Sequence, residues 1–307
     1  MQKLLAISGG VDSVCLLHMY KDDPEVVVAH FNHGTRPSAD DDEKFVKQLA
    51  KEYGKKCVIG RADLGVNVSE EKARKARYDF LEDAARKNHY ADIFTAHHLD
   101  DLVETIAINL LRGTGWRGLA PFSNGRIRRP FFGCFGHGPG GQSTADFVND
   151  RHIEAMTKKD LLKYAAKNHL TFREDPTNHE DNYLRNRVRE NLIHFPKEKK
   201  LKLAEYFDYQ TYDRQTIEMA ARDALMELEM DSDTEYGVYL RDWFDLADRP
   251  TELELLRAAI DDHGLSLTRP QLEDFLDAIQ TYASGKAFNL PKDHLVHFSK
   301  DAFMLPA

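Results

Sequence analysis

The sequence predicts an α/β protein with a parallel twisted sheet that carries helices on both faces. A smaller, mainly helical domain with a few short C-terminal strands is predicted to follow. Over the first hundred residues, apolar β-rich runs alternate with helical patterns, which is typical of right-handed βαβ units. A long helical stretch then begins near residue 200. We therefore expect a first domain at residues 1–195, with a Gly-rich insertion at about 133–150, and a second domain at 200–307.

Each element is predicted from its periodicity and from the turn residues that bound it. The strands predicted for the first domain are Leu4–Ile7, Val26–Phe31, Cys57–Ile59 and Ile93–Ala96. Its predicted helices are Val14–Tyr20, Asp41–Tyr53, Glu70–Lys87, Leu99–Leu111, Lys158–Asn168 and Asp181–Ile193. After a linker at Pro196 and the lysines that follow it, we expect the helices Leu201–Glu229, Thr251–His263 and Arg269–Ala283. The last predicted strands are Ala287–Leu290, Leu295–Ser299 and Phe303–Leu305.

Composition restricts the class of protein and its location. Of the 307 residues, 42% are hydrophobic and 30% are charged, which is typical of a soluble globular chain. No apolar run approaches the ~20 residues of a membrane span, and a strand rather than a signal peptide follows Met1, so we expect no membrane partner. The three cysteines lie far apart without a C-x-x-C, which favours a cytoplasmic location. The net charge of −9 disfavours a global attraction to nucleic acid.

The stretch Ser8–Ser13, with the sequence SGGVDS, lies between the first predicted strand and the first predicted helix. Its glycines let the backbone approach a ligand, and the helix start offers N–H groups and a positive dipole end to an anion. Asp12 beside a phosphate would hold a metal ion or cap the helix. We therefore predict a phosphate cradle, with a turn that binds nothing as the alternative. Its residues are Ser8, Gly9, Gly10, Val11, Asp12 and Ser13.

Two further polar motifs follow predicted strands. Ala29 and His30 end the second strand, where they would lie near a nucleotide base. His97, Asp101 and Glu104 follow the fourth strand at spacings that place them on one helical face. The carboxylates could hold Mg²⁺ or a cationic amine, and the histidine could move a proton or contact phosphate. Ordinary polar loops, and an aspartate that caps the helix, are the alternatives.

Arginines form the remaining candidate sites. Arg74 and Arg77 are three residues apart on one predicted helix, a pairing that suits phosphate or carboxylate. Arg112 belongs to a Gly/Arg-rich loop that would bind phosphate or stack on a base. A basic stretch further along, suited to an RNA backbone or to ATP phosphates, contains Arg185, Arg187 and Arg189. A solvated basic face is the alternative for each.

The SGGVDS stretch resembles the signature of the PP-loop ATP pyrophosphatases, which cleave ATP between the α and β phosphates and adenylate a substrate oxygen. It lacks the G-x-x-x-x-G-K-[ST] pattern of the common kinase and GTPase loop. The resemblance implies a Rossmann-like sheet with ATP at Ser8–Ser13. It also implies Mg²⁺ near Asp12, with Asp101 as a second candidate metal ligand.

Taken together, the motifs resemble those of the bacterial tRNA(Ile)-lysidine synthetase family. They occur in the family's order over roughly residues 1–195: SGGVDS, HFNHGTR, ARKARY, AHHLDDLVET, LLRGTGWRGL, RRPFF, EDPTN and RNRVR. Thr35 stands where that family usually has leucine, and the Gly-rich insertion lengthens a connection that is usually short. The C-terminal part is similar to the family's helical second domain.

This resemblance implies a ligase that joins free L-lysine to C2 of the wobble cytidine of a CAU-anticodon tRNA(Ile). The cytidine O2 would attack the α-phosphate of ATP, and the lysine amine would then displace AMP to form lysidine. The implied catalytic residues are Asp12, Arg77, His97, Asp101 and Glu104. Lysine or tRNA would also contact Arg74, Arg112, Arg185, Arg187 and Arg189. A homodimer is compatible with the resemblance.

Three alternatives remain open at this point. A PP-loop tRNA thiolase would need activated sulfur, usually on paired cysteines, whereas the cysteines of this chain are isolated. A small-molecule PP-loop amidating ligase would not need the Arg-rich stretches or the second domain. A catalytically silent RNA-binding module would not need Asp12, Asp101 and Glu104 together.

Overall fold

The computed structural model describes residues 2–34, 38–65, 68–90, 92–122, 126–133, 153–173, 183–192, 194–228, 236–245 and 247–306. The chain divides into two compact units, Met1–Tyr212 and Asp213–Ala307. Apart from Gly133, the insertion predicted at about 133–150 lies outside the described residues. The EDPTN motif, residues 174–178, also lies outside them.

The first unit contains a five-stranded parallel sheet. Its strands are β1 Lys3–Ala6, β2 Val26–Asn32, β3 Lys56–Arg61, β4 Asp92–Phe94 and β5 Ile127–Arg128. Their order across the sheet is β3-β2-β1-β4-β5, and each neighbouring pair is parallel. The predicted fold class is thereby confirmed. Strand β5 was not predicted, because two residues are too few to show a period.

Helices cover both faces of this sheet. The helices of this unit are α1 Val11–Met19, α2 Ala39–Glu52, α3 Glu70–Lys87, α4 Leu99–Leu111, α5 Lys158–Lys167, α6 Tyr183–Leu192 and the first part of the long α7 Lys197–Leu228. Leu4 and Leu5 are adjacent on β1 and both fully buried, and they belong to two different core clusters. Successive strand residues point to opposite faces. Leu5 accordingly packs in the cluster of α1, α2 and α5, and Leu4 in the cluster of α3.

The linker expected at Pro196 is helical instead. Helix α7 begins at Lys197, and the carbonyl oxygen of Pro196 accepts hydrogen bonds from the backbone N–H groups of Lys199 and Lys200. Lysine is a good helix former, so a run of lysines extends a helix as readily as it forms a linker.

The second unit combines helices with an antiparallel sheet. Its helices are the end of α7, α8 Arg249–Asp262 and α9 Arg269–Thr281. Its strands are β6 Tyr236–Leu240, β7 Ala287–Leu290, β8 His294–Phe298 and β9 Ala302–Pro306, in the order β6-β9-β8-β7. The fully buried Phe275 and Phe303 lie in its core. Strand β6 was not predicted, because Gly237 weakens the strand pattern there.

Candidate active site

The candidate site lies at the carboxyl edge of the parallel sheet. In the order β3-β2-β1-β4-β5, strands β1 and β4 are neighbours although two strands separate them in the sequence. The chain therefore changes direction across the sheet between β1 and β4, and ligands bind at such a switch point. The SGGVDS loop follows β1, and the loop with His97 and His98 follows β4. Two motifs that are 84 or more residues apart in the chain thus meet at one crevice.

The loop after β1 is held by its own hydroxyl groups. Ser13 Oγ donates to the Gly10 carbonyl at 2.9 Å and accepts from the Gly9 N–H at 3.1 Å, and it lies 3.2 Å from Ser8 Oγ. Gly9 has a φ of +97°, a conformation that favours glycine. The Gly9 carbonyl accepts a hydrogen bond from the Arg173 N–H at 2.9 Å. The loop is therefore already shaped before a ligand arrives.

Gly10 leaves open space at the start of α1. It is the N-cap of α1 with an ordinary φ of −72°, so its backbone does not require glycine. A Cβ there would stand 3.7 Å from the nearest described atom, Ser8 Oγ, so packing does not require glycine either. The Cβ would instead occupy the space in front of the helix N-terminus, where an anion would bind. The structure thus supports a close approach of phosphate to Gly10.

Asp12 is paired with a lysine that the sequence did not reveal as a site residue. Lys158 Nζ lies 2.8 Å from each of the two carboxylate oxygens of Asp12. Among the described residues, no group of three or more His, Cys, Asp or Glu side chains is arranged to hold a metal ion. Mg²⁺ usually takes one or two carboxylates together with substrate phosphates. The Asp12 carboxylate fits that pattern once a nucleotide supplies the other ligands.

The start of α4 is closed by a capping box. The Asp101 carboxylate accepts from the His98 N–H at 2.9 Å, and His98 Nδ1 accepts from the Asp101 N–H at 3.4 Å. The neighbouring Asp100 accepts from the Lys158 N–H at 2.8 Å and from the buried ammonium of Lys200 at 2.6 Å. The capping alternative for Asp101 is therefore realised. One of its oxygens is engaged in the cap, and the side chain is about a third exposed.

His97 is a neutral imidazole in a positively charged environment. Its Nδ1 lies 2.9 Å from Thr95 Oγ1, and its ring packs against Phe122. Burial lowers the pKa of His97 well below the ordinary 6.5, and neighbouring guanidinium groups lower it further. In order of effect, these belong to Arg129, Arg77 and Arg74. Burial and the guanidinium groups therefore disfavour the charged imidazolium, and the neutral ring is suited to hydrogen bonding.

Arg129 was not identified as a site residue by sequence reasoning. It is buried, donates to the Phe122 carbonyl at 2.8 Å and lies over the Phe122 ring. Burial lowers the pKa of the guanidinium to about 10, and the nearby Tyr78 hydroxyl opposes that effect. The group is still protonated at neutral pH. No sequence signal distinguishes Arg129 from Arg128, because burial alone separates them.

Helix α3 brings two predicted arginines to the same ring. The guanidinium groups of Arg74 and Arg77 lie 5.0 and 5.3 Å from the ring centre of Tyr78. An open groove of about 470 Å³ runs along this helix, and its lining contains three cations. The lining residues are Ser69, Glu71, Lys72, Arg74, Lys75 and Tyr78. The shared face predicted from the spacing of the two arginines is present.

Glu104 joins two motifs that the sequence leaves separate. Its carboxylate is 5% exposed, and it pairs with Arg185 at 2.5 Å and with Arg189 at 3.1 Å. The arginines stand four residues apart on α6, so they share one helical face. Arg187 lies on a different face and is exposed. Both oxygens of Glu104 therefore already face guanidinium groups, and α6 is attached to α4 through this side chain.

Three predicted residues occupy other positions. Ala29 is buried in the core, and its carbonyl accepts a hydrogen bond from the Ile7 N–H at 2.8 Å. His30 is also buried; its Nδ1 lies 2.8 Å from the Ile7 carbonyl, and burial lowers its pKa. Its Nε2 has no hydrogen-bond partner among the described residues. Arg112 ends α4 on the surface, about 16 Å along the helix axis from Asp101 at 1.5 Å per residue.

The described helices contain none that is both long and apolar enough to cross a membrane.

Relatives of known name extend over nearly the whole chain. The tRNA(Ile)-lysidine synthase of Streptococcus sanguinis strain SK36 is 30% identical over 308 residues, which cover 95% of this chain and 64% of that protein. The enzyme of the same name from Streptococcus pyogenes serotype M3 is 28% identical over 314 residues, which cover 98% and 64%. The chain thus spans 64% of the length of these relatives.

A solved structure shares the fold. The U34-tRNA thiolase NcsA from Methanococcus maripaludis, with its [4Fe-4S] cluster, superposes with a TM-score of 0.51 at 18% identity, over 70% of this chain and 72% of that one. At this identity the likeness concerns the fold alone. The family model of the PP-loop domain matches residues 1–195, the segment that contains the sheet, the cradle and the clustered side chains described above. The chain therefore belongs to the PP-loop domain family, which binds ATP.

Proposed function

We propose that this chain joins free L-lysine to C2 of the wobble cytidine in a CAU-anticodon tRNA(Ile), with ATP as the source of activation. The products would be lysidine, AMP and diphosphate. The observation that carries this proposal is the convergence at one sheet edge of a phosphate cradle, a neutral histidine and a set of arginines and carboxylates. The names of the relatives, which align with almost the whole chain, support the same reaction.

The first half-reaction requires ATP to be held with its α-phosphate exposed to an attacking oxygen. We propose that residues 8–13 bind the phosphates through the free N–H groups of the first turn of α1. Mg²⁺, held by Asp12 with Asp101 as a candidate second ligand, would neutralise phosphate charge when bound. The cytidine O2 would then attack the α-phosphate, and diphosphate would leave. Positive charge fixed near the reacting phosphate lowers the barrier to this step.

The second half-reaction requires a lysine amine without its proton. We propose that Asp101 receives the ε-ammonium through the part of its carboxylate that the cap leaves accessible and takes its proton as the amine attacks C2. The neutral His97 would contact the adenylate or assist this transfer through a hydrogen bond. Arg77 would hold the α-carboxylate of lysine, as guanidinium groups suit carboxylates. The proposed catalytic role of Glu104 is then to place Arg185 and Arg189, since both of its oxygens face them.

The tRNA would contact exposed arginines around this edge, for which we propose Arg74, Arg112 and Arg187. We also propose that the protein works in the cytoplasm, where lysine, ATP and tRNA occur together. A homodimer is a further proposal, which light scattering on the purified chain would test.

The experiment is incorporation of labelled lysine into a CAU-anticodon isoleucine tRNA transcript, with ATP and Mg²⁺. A transcript with uridine at the wobble position is the matched control. We expect label only on the cytidine-bearing transcript and one AMP released for each lysine attached. Label on both transcripts would contradict the proposed site of reaction. No label, with ATP still bound, would refute the reaction.

A thiolase function is less well supported by the cysteines that the structure describes. Cys15 is fully buried and donates to the Leu161 carbonyl, and burial raises the pKa of its thiol to about 12. Burial also raises the pKa of Cys57. Since the thiolate is the reactive form, neither side chain is suited to carry sulfur at neutral pH.

A further inference from the structure

We propose that Lys158 binds the phosphates of ATP, as a residue of the nucleotide site that the SGGVDS motif does not include. The proposal deepens the proposed function and rests on it for the nucleotide. The starting observation is the position of the ammonium group. It lies 2.8 Å from both carboxylate oxygens of Asp12, which is the second residue of α1. Helical side chains lean toward the N-terminus, so Asp12 places this ammonium at the mouth of the cradle.

The backbone of Lys158 is held from several directions. Thr157 and Asp160 form a capping box that starts α5 at this residue. The Lys158 N–H donates to Asp100, whose other oxygen accepts from the buried ammonium of Lys200. Helix α5 also packs on α1, where Cys15 donates to the Leu161 carbonyl. The backbone is thus fixed, and only the side chain of Lys158 is left to move between acceptors.

The contact with Asp12 leaves the ammonium available to a ligand. An ammonium group has three N–H donors, and two of them reach Asp12. The Lys158 side chain is 44% exposed and that of Asp12 is 29% exposed, so solvent screens the pair and it contributes little stability. Exchange of one acceptor for a phosphate oxygen therefore costs little. If Asp12 held a divalent cation, the Lys158 ammonium would exchange this carboxylate for the phosphates.

The closed N-termini of two neighbouring helices strengthen the assignment. Helices α4 and α5 both begin with capping boxes, in which side chains occupy the first N–H groups. Helix α1 begins at Val11, and its N-cap is Gly10, which has no side chain to do so. An anion is therefore directed to α1, and Lys158 is a cation beside that helix start. The ligand chemistry is a polyphosphate, either ATP itself or the released pyrophosphate.

The test compares the binding of ATP and of inorganic pyrophosphate to the full chain and to Lys158→Met, by calorimetry in EDTA and then in Mg²⁺. We expect both affinities to fall about 10- to 100-fold, because a charge-assisted hydrogen bond to phosphate is lost. Lys158→Arg should recover part of the loss. Lys159→Met, a substitution of the exposed neighbour on the same helix, should bind like the unsubstituted chain. An unchanged melting temperature excludes misfolding of either variant.

A second comparison tests whether Lys158 contacts phosphate directly or only neutralises the charge of the Asp12 carboxylate. In an Asp12→Asn background, a lysine that only neutralises the carboxylate has no further effect on affinity. A lysine that contacts phosphate still lowers the affinity when it is replaced by methionine. Unchanged affinity in Lys158→Met, or an effect that disappears in Asp12→Asn, would overturn the proposal.

Failure of the proposed reaction gives a different result. A chain that binds pyrophosphate through Lys158 but attaches no lysine to tRNA would refute the reaction and leave this inference standing. A chain that binds neither ATP nor pyrophosphate would overturn both.

Discussion

The carboxylates at the sheet edge differ in the cations they already contact. Glu104 is buried under two guanidinium groups, Asp100 accepts from a buried ammonium, and Asp12 holds an ammonium that solvent can reach. The degree to which each ion pair is buried decides whether it fixes the structure or can exchange partners. A pair that is buried fixes the structure, because separating it exposes an uncompensated charge. A pair that is exposed, such as that of Asp12, is free to exchange partners.

Replacement of Glu104 by glutamine tests the attachment of α6 to α4. We expect the free energy of unfolding to fall by roughly 1–3 kcal/mol, since two arginines lose their carboxylate. The loss is smaller than for a fully buried pair, because Arg189 is 54% exposed and partly screened. Urea unfolding followed by circular dichroism measures it. Glu190→Gln, on the exposed face of α6, is the control, and equal stability of the two variants would contradict the assigned role.

Glu43 makes the free energy of unfolding depend on pH in the acidic range. Its carboxylate, buried near the ends of β2 and β3, accepts from Arg61 at 2.8 and 2.6 Å. That hydrogen bonding, opposed by burial and aided by Lys47 and Asn32, lowers its pKa from 4.5 to about 2. The folded-state pKa lies below the unfolded one, so the stabilisation is complete above about 4.5 and is lost as the pH falls toward 2.

Unfolding of the unsubstituted chain and of Glu43→Gln at pH 7, 5 and 3 measures this contribution. We expect a difference on the order of 1–3 kcal/mol at neutral pH that narrows as the pH falls through this window. Its size is reduced by the exposure of Arg61 and Lys47. Glu52→Gln, at the exposed end of α2, should show no such narrowing. A gap that stays constant with pH would exclude the linkage.

At the scale of elements, three helices meet with their N-termini at one edge of the sheet. The contacts that join them run from Asp12 on α1 through Lys158 on α5 to Asp100 on α4. Capping boxes satisfy the starts of α4 and α5, whereas α1 starts at a glycine. Of these three helices, α1 is the one whose first backbone N–H groups are not capped by a side chain, so an anion would bind at its start.

Alanine substitutions at Gly9 and Gly10 distinguish an effect on the loop conformation from an effect on ATP binding. Gly9→Ala should lower the free energy of unfolding by about 1 kcal/mol or more, because its φ of +97° strains any residue with a Cβ. Gly10→Ala should leave stability within about 0.5 kcal/mol but weaken ATP binding, since the new methyl group occupies the cradle. Thermal unfolding and calorimetry measure the two effects. Normal ATP affinity in Gly10→Ala would argue against the proposed position of the phosphates.

At the scale of the whole molecule, the charge is acidic while the candidate site is basic. The net charge is −9, yet arginines on α3 and α6, and Arg112 directly after α4, lie at the sheet edge or on the surfaces beside it. Long-range attraction to the proposed tRNA substrate would therefore be weak, and short-range contacts with phosphate would have to supply the binding. Such contacts release counterions, so affinity should fall steeply as salt rises.

The salt dependence of tRNA binding tests whether Arg112 makes such a contact. A plot of log affinity against log salt concentration should lose about 0.7–0.9 from the magnitude of its slope in Arg112→Ala, the value for one phosphate contact. Filter binding measures the affinity for tRNA at salt concentrations from about 50 to about 300 mM, the range over which such contacts weaken. Lys167→Ala, an exposed cation at the end of α5, is the control. Parallel slopes for the two variants would remove Arg112 from the interface.

The fold was largely predictable because its elements are long enough to show a period. The four longer parallel strands and the helices α1 to α4 were expected close to their observed positions. The two-residue β5 and the glycine-containing β6 were missed, since neither shows a clear alternation. For the candidate site, the SGGVDS loop and the start of α4 were expected together, because both follow strands of one parallel sheet. Lys158 was missed because its segment has no recognisable motif. Arg129 belongs to the RRPFF motif, but its burial cannot be read from the sequence.

The sequence by itself determined the class of fold, the glycine-containing loop predicted to bind phosphate and the set of polar residues available at the sheet edge. These depend on local periodicity and on motifs within a few neighbouring residues. Only the tertiary structure decided the partners: Lys158 on Asp12, two arginines on Glu104, and the burial that lowers the pKa of His97. Those pairings join residues 81 to 146 positions apart in the chain. Burial and charge–charge contact depend on positions in space, which spacing along the chain does not specify.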